Sequence, residues 1–126
     1  MTMSIRTRTV EAGYLAHLAL VNKLFPKDDL LEKELIKFLK GKTNLHIALT
    51  FVDDVPACVC VISSYWQIMS YTRPKFRRMG LGIRTARAVI RKSGLHPCLI
   101  QAGPGPNPKT SRAFFERLRI GIIYGQ

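Results

Sequence analysis

Acidic side chains are scarce in this sequence of 126 amino acids. There are 8 aspartates and glutamates against 20 lysines and arginines, which leaves a net charge of +12. An excess of this size indicates an anionic partner, such as nucleic acid, a phosphorylated cofactor or an acidic surface. Charge alone does not choose among these partners.

Long apolar runs are also absent. No stretch approaches the ~20 consecutive apolar residues that a membrane-spanning helix requires. Residues 1–6 lack the apolar segment of a signal peptide, so we expect a cytoplasmic protein with no membrane partner. The hydrophobic fraction of 47% is sufficient for a packed core and excludes general disorder. The length fits a single domain over residues 1–126.

Cysteine and histidine are too few and too scattered for a metal site. The three cysteines are Cys58, Cys60 and Cys98. Their odd number, without an export signal, indicates reduced thiols rather than a disulfide framework. No second cysteine pair follows at zinc spacing, so the pair at 58 and 60 is predicted to be buried in a strand. The histidines, which form no metal spacing either, are His17, His46 and His96.

Hydrophobic periodicity and turn residues predict an α/β domain. The predicted strands cover residues 4–9, 45–52, 56–62, 67–72, 97–101 and 120–124. The predicted helices cover residues 11–24, 28–40, 81–92 and 110–118. The resulting order, β-α-α-β-β-β-α-β-α-β, indicates one sheet with helices on both faces.

Positive charge is concentrated in the second half of the chain. Residues 73–119 contain 12 basic residues and one acidic residue, whereas residues 1–72 contain 8 and 7. Apolar residues recur through the basic region, so it is predicted to be folded rather than a charged tail. In the predicted helix 81–92, the residues expected to face the core are Ile83, Ala86, Val89 and Ile90. The residues expected on another face are Arg84, Arg87 and Arg91.

The segment 72–82 connects a predicted strand to a predicted helix and reads Thr-Arg-Pro-Lys-Phe-Arg-Arg-Met-Gly-Leu-Gly. Gly80 and Gly82 let the backbone approach a ligand closely. The helix that follows presents unpaired N–H groups and the positive end of its dipole. Arg77 and Arg78 add bidentate donors for phosphate oxygens. Together these features predict a diphosphate-binding site.

The spacing Arg77-x-x-Gly80-x-Gly82 resembles the acyl-CoA-binding signature of the GNAT superfamily of N-acetyltransferases, and the element order resembles that family along most of the chain. The resemblance implies a GNAT-like, mostly antiparallel sheet, and acetyl-CoA as co-substrate without a metal. It also implies that main-chain N–H groups hold the pyrophosphate, while pantetheine follows the preceding strand. The residues that it assigns to acetyl-CoA are Tyr71, Thr72, Arg77, Arg78, Met79, Gly80, Leu81, Gly82 and Phe115.

The resemblance leaves the catalytic residues unknown. Many family members use a carboxylate on the strand before the loop as the base, but residues 61–72 contain none. Many also use a tyrosine in the fourth helix to protonate the leaving thiolate. The best-matching position here is Phe115, which has no proton to donate. His46 is the nearest candidate for a base.

Three hypotheses about function follow. The first is a GNAT-like N-acyltransferase that transfers an acetyl group from acetyl-CoA to an unidentified amine. The second is a non-catalytic GNAT-like structural or interaction protein of a larger assembly, such as a viral particle. It is motivated by the missing carboxylate and by the C-terminal region, which has room for one terminal strand where the family usually has two. The sheet edge exposed in this way would be covered by a second copy or by another chain. The third is a nucleic-acid-binding module that uses the basic region 73–119.

Overall fold

The fold is described from a computed structural model of the chain. The residues that the structure describes are 3–10, 20–21, 23, 33, 36–38, 40, 45–63, 66–96, 99–100, 113 and 116–117, together with the backbone of 101–102. The predicted terminal strand at 120–124 lies outside these residues. Helical residues occur at 20–21, 23, 33, 36–38, 113 and 116–117, within three of the predicted helices.

Five strands form one mixed sheet. They are β1 (Ile5–Thr9), β2 (His46–Val52), β3 (Val55–Ile62), β4 (Gln67–Thr72) and β5 (Gln101–Ala102). Their spatial order is β1-β2-β3-β4-β5. The first four strands pair antiparallel, and β5 pairs parallel to β4. The predicted sheet, mixed and mostly antiparallel, is therefore confirmed.

Both faces of the sheet are covered, as predicted. On one face, the helical residues Val21 and Phe38 pack with strand residues. Those strand residues are Ile47, Leu49, Phe51, Val59 and Val61. The opposite face carries the alternate residues of β2 and β3 and is covered by helix α1 (Leu81–Ser93). The alternation follows from the two-residue period of a strand.

The pair Cys58 and Cys60 lies on the face beneath α1, and both side chains are fully buried and unoxidised. Among the described residues, no group of three or more His, Cys, Asp or Glu side chains comes together to hold a metal. The two thiols therefore act as small core side chains, as predicted from their spacing. No helix in the described part of the chain is long and apolar enough to cross a membrane.

Glycines in the left-handed region flank helix α1 at both ends. Gly80 precedes it with φ 74°, and Gly94 follows it with φ 70°, donating its N–H to the carbonyl of Arg91. The predicted stop at Gly94 is confirmed, and its conformation explains why glycine serves there.

The inward face of α1 differs from the prediction at one position. Ala86, Val89 and Ile90 are buried as expected, but Ile83 is 43% exposed. The fully buried Thr85 takes the place expected for Ile83. The prediction was wrong there because it ranked residues by apolar character, whereas the helical period places residue 85 in line with 81 and 89.

The predicted strand at 97–101 differs from the structure at its described residues. Of residues 99–101, only Gln101 is extended and paired, as the first residue of β5. Leu99 lies in a turn, donates its N–H to the carbonyl of His96 at 2.9 Å, and is 48% exposed. Apolar composition at this segment therefore reflects burial of Ile100 rather than a strand through the whole segment.

A chain of hydroxyl groups joins β1, β2 and the first turn of α1. The oxygen–oxygen distance is 2.9 Å between the hydroxyls of Thr7 and Thr50 and 2.6 Å between those of Thr50 and Thr85. The hydroxyl of Thr85 donates to the carbonyl of Leu81 at 2.7 Å, and Nε of Arg84 donates to the hydroxyl of Thr7 at 2.9 Å. Because each hydroxyl has one proton, these two ends fix the direction: Thr7 donates to Thr50, and Thr50 donates to Thr85.

We expect Thr50→Val to lower the free energy of unfolding by about 1–3 kcal/mol, since it removes the central hydroxyl and leaves its two neighbours without that partner. Urea denaturation measures the change. The control is Thr9→Val, at an exposed threonine on β1, which should shift stability by less than about 0.5 kcal/mol. Equal effects of the two substitutions would show that the hydroxyl chain adds nothing.

Candidate functional site

The junction between β4 and α1 is anchored at two points and exposed between them. β4 ends at Thr72, a short 3-10 turn covers Pro74–Phe76, and α1 begins at Leu81. Phe76 and Leu81 are buried in the same apolar cluster as Cys58. Of the four residues between these anchors, Met79 packs partly against that cluster and the other three are exposed. The loop is therefore held in place while its backbone faces solvent.

Backbone N–H groups are concentrated on this exposed loop. Within the described part of the chain, nothing accepts a hydrogen bond from the N–H groups of residues 78–83. The first N–H of α1 to be satisfied is that of Arg84, which donates to the carbonyl of Gly80 at 3.2 Å. Arg78 and Gly80 both lie in the left-handed region, with φ of 65° and 74°. Left-handed residues beside a helix N-terminus direct successive N–H groups into one concavity, which favours an anion.

Basic side chains surround the loop without acidic neighbours in sequence, since residues 73–96 contain no aspartate or glutamate. Arg77 turns back along the sheet: its Nε donates to the carbonyl of Thr72 at 3.1 Å, and its guanidinium lies 5.9 Å from the ring centre of Tyr71. Arg78 is exposed and adopts the left-handed conformation. The loop therefore combines main-chain donors with two guanidinium groups, which suits phosphate oxygens.

Among the described residues, the β4 edge beside the loop has a strand partner over two residues only. Gln67 pairs with Gln101 and Ile68 with Ala102. β4 continues to Thr72, while its other edge remains paired with β3 along Ile68 to Thr72. Over residues 69–72, no described strand pairs with the β5 side. An extended ligand with amide groups fits beside such an edge, ending at the N–H groups of the loop.

The predicted acetyl-CoA residues other than Phe115 are neighbours in the structure. Tyr71, Thr72 and residues 77–82 lie at the end of β4 and the start of α1. The buried side chain of Leu81 belongs to the core, so that residue offers the site its main chain only. The hydroxyl of Thr72 donates to Sγ of Cys58 at 3.2 Å and is directed into the sheet face beneath α1. Phe115 lies outside the described residues.

The described part of the chain brings no base to this surface. Ser63 is buried and accepts a hydrogen bond from the N–H of Gln67 at 3.3 Å. Burial, followed by the charge of Cys58, raises the pKa of the Cys60 thiol well above its ordinary value, so this thiol stays protonated. Neither group is suited to remove a proton from an amine at neutral pH.

His46, the predicted candidate for a base, lies far from the loop. It begins β2 and pairs with Ile62, whereas the loop end of β4 pairs with Cys58. Four residues along β3 separate the partner of His46 from the partner of Thr72, which corresponds to roughly 13 Å. Burial, followed by the positive charge of Lys92, lowers the pKa of His46. His46 is therefore distant from the predicted acetyl-CoA residues, but its partner Ile62 also pairs with Ile68, so His46 lies two strands, or roughly 10 Å, from the end of β4 that pairs with β5.

Several solved structures of acetyltransferases have the same architecture. The aminoglycoside N-acetyltransferase AAC(6')-Iy in complex with CoA is similar with a TM-score of 0.63 and 18% identity, over 94% of this chain and 88% of that chain. The aminoglycoside 6'-N-acetyltransferase AAC(6')-Ih from Acinetobacter baumannii has a TM-score of 0.58 and 15% identity, over 91% and 89%. A predicted acetyltransferase with acetyl-CoA from Clostridium acetobutylicum has a TM-score of 0.54 and 14% identity, over 90% and 88%.

These likenesses extend over nearly the whole chain, so they concern the fold as a whole rather than one motif. No protein-family model and no curated protein sequence matches the chain. The chain has the GNAT-like acetyltransferase fold, which confirms the fold expected from the segment 72–82 and the element order. At 14–18% identity the likeness establishes the fold, and the activity has to be argued from the site.

The lowered pKa of His46 makes stability depend on pH. Because burial and Lys92 disfavour the imidazolium in the folded protein, the folded state binds fewer protons than the unfolded state near the ordinary pKa of 6.5. The contribution of His46 is therefore fully present above pH 6.5 and is lost as pH falls below it. We therefore expect the free energy of unfolding of wild type, relative to that of His46→Gln, to decrease as pH falls from 8 to 5 in urea titrations. Parallel curves for the two proteins would contradict this assignment.

Proposed function

We propose that this protein binds acetyl-CoA and transfers its acetyl group to an amine. The observation that supports this most is the set of N–H groups at residues 78–83, on the exposed loop and the first turn of α1, for which no described residue is an acceptor. A diphosphate is the anion that matches a helix N-terminus flanked by guanidinium groups. The pyrophosphate of CoA would lie there.

Residues 69–72 of β4 offer a binding surface for the pantetheine part of the co-substrate. Pantetheine contains two amide groups, and the main chain of residues 69–72 offers donors and acceptors along an edge that no described strand occupies. Arg77 would lie between the two parts, since it contacts the carbonyl of Thr72 at the end of this strand. The thioester would then lie further along β4, toward its pairing with β5.

The likeness to solved structures supports the same co-substrate. One similar structure is described as a complex with CoA, a second contains acetyl-CoA, and a third holds a bisubstrate analogue, CoA-S-monomethyl-acetylneamine. In these proteins the fold accommodates CoA or a derivative of CoA. The acceptor of this protein is an amine that the likeness does not specify further.

The chemistry follows from the two reactants. The neutral amine nitrogen attacks the carbonyl carbon of the thioester, a C–N bond forms, and the C–S bond breaks. CoA leaves as a thiolate and takes a proton from water. The acceptor nitrogen loses its proton to water, since residues 61–72 supply no carboxylate. The contribution of the protein is then to hold the two reactants in attacking geometry.

Gly80→Glu tests the binding site. We expect it to weaken CoA binding in calorimetry by at least about 100-fold, because a carboxylate beside a diphosphate costs several kcal/mol and every 1.4 kcal/mol is tenfold. A Cβ at Gly80 meets no atom within 4 Å, so the substitution adds backbone strain without a clash.

Gly94→Glu is the matched control, because Gly94 has φ 70°, the same open space, and lies at the other end of α1. It imposes similar strain and the same charge away from the proposed site. We expect its affinity for CoA to stay within about threefold of wild type, or roughly 0.7 kcal/mol. Equal loss of affinity in both variants would contradict the site assignment.

Turnover is tested by release of the CoA thiol in the presence of acetyl-CoA and a panel of primary amines. If no side chain acts as the base, we expect kcat/KM to rise with pH in proportion to the neutral fraction of the acceptor. The rising limb should move when one acceptor is exchanged for another with a different amine pKa. A limb that stays at one pH for all acceptors would indicate a base in the protein. CoA binding without transfer to any amine would support the non-catalytic hypothesis instead.

A further inference from the structure

A second basic surface lies along the outer side of α1. It is an open groove of about 410 Å³. It is lined by Thr7, Gly80, Ile83, Arg84, Arg87, Ala88 and Arg91. We call this surface the α1 groove. Three of its seven lining residues are arginines, and none is acidic.

The α1 groove is separate from the surface proposed for pantetheine. Thr7 on its wall belongs to β1, which is one edge of the sheet, whereas pantetheine is assigned to β4. Two strands lie between β1 and the open side of β4, and each strand step is about 4.8 Å. The groove shares Gly80 and Ile83 with the N–H groups assigned to the diphosphate, and it shares no residue with the segment 69–72 assigned to pantetheine. A ligand of the groove would therefore lie on the β1 side of the helix.

The arginines are arranged along the length of the groove. Arg84, Arg87 and Arg91 are three and four residues apart on one helix, which corresponds to rises of about 4.5 and 6 Å. Arg84 is fixed at one end, because its Nε donates to the hydroxyl of Thr7 at 2.9 Å and its Nη2 donates to the carbonyl of Ile5 at 3.2 Å. This spacing presents a row of positive charge about 10 Å long.

The chemistry of the groove favours a phosphate backbone over other anionic partners. Guanidinium groups bind phosphate oxygens bidentately. A membrane-binding helix would present several bulky apolar residues beside its basic ones, but Ile83 is the only large exposed apolar side chain among the groove residues. Protein interfaces are usually anchored by aromatic side chains at their centre, and the groove has none.

We propose that the α1 groove binds the sugar–phosphate backbone of nucleic acid without sequence specificity. The binding is electrostatic and releases counterions from the nucleic acid. Arg87 and Arg91 contact phosphates, and Arg84 holds the end of the groove against β1. This activity does not depend on acetyl transfer, and it uses the part of the basic region that lies beyond the proposed diphosphate site.

The experiment measures binding of a fluorescent 20-base-pair DNA of mixed sequence, and of its single strand, to the full chain at several salt concentrations. The test variant is Arg87→Gln with Arg91→Gln. The matched control is Arg8→Gln with Lys23→Gln, which removes the same charge from two exposed residues. Both control residues lie on the side of the sheet opposite α1. Arg8 follows Thr7 on β1 and so points to the other face, and Lys23 belongs to the helical segment whose Val21 packs on that face. Thermal unfolding confirms that all three proteins are folded.

We expect wild type to bind at low salt and to weaken steeply as salt rises. On duplex DNA, the slope of log affinity against log salt should fall by about 0.9 for each phosphate contact that the test variant loses. The control should retain the wild-type slope. Three results would each overturn the proposal: no binding to either probe at low salt, the same slope change in both variants, or displacement of DNA by poly-glutamate as effectively as by unlabelled DNA of equal charge.

Discussion

The position of α1 depends on one directed chain of hydrogen bonds. It runs from the guanidinium of Arg84 through the hydroxyls of Thr7, Thr50 and Thr85 to the carbonyl of Leu81. Each hydroxyl accepts one hydrogen bond and donates one, so each of these polar groups has hydrogen-bond partners that offset the cost of its burial. Because the chain begins and ends on the first turn of the helix, it fixes that turn against β1 and β2. The N–H groups that precede the turn are positioned by the same contacts.

The first turn of α1 contributes to the core, to the surface that presents the N–H groups, and to the edge of β1. Its buried side, at Leu81 and Thr85, joins the core, while the N–H groups before it remain available on the surface. Its exposed side carries Arg84, which also occupies a carbonyl at the outer edge of β1 through its contact with Ile5. A free strand edge invites pairing with another chain, and a charged side chain bound across it opposes that pairing. Stability, ligand access and protection of the edge therefore share one short segment.

Much of the fold could be predicted from the sequence because the signals are local. The turn at Asp53 and Asp54 is closed by two residues with positive φ, a conformation that aspartate tolerates, and the stop at Gly94 follows the same logic for glycine. The inward position of Thr85 follows from the helical period, but its hydrogen-bond partner could not be predicted, because the hydroxyl of Thr50 lies 35 residues away. For the site, the loop residues were recognisable from spacing, whereas the contact between Arg84 and Thr7 joins residues 77 apart and leaves no sequence pattern.

The positive charge around the candidate site bears on how the proposed acyl transfer would proceed without a carboxylate base. A positive field lowers the pKa of an ammonium group placed in it, because the charged form is disfavoured. Residues 73–96 supply such a field without an acidic residue, and Arg77 extends it to the end of β4. Basic residues whose charge bound CoA leaves uncompensated would therefore increase the neutral, nucleophilic fraction of an amine bound nearby. A GNAT fold that replaces a general base by a field in this way needs no proton acceptor on β4, since water suffices once the amine is neutral.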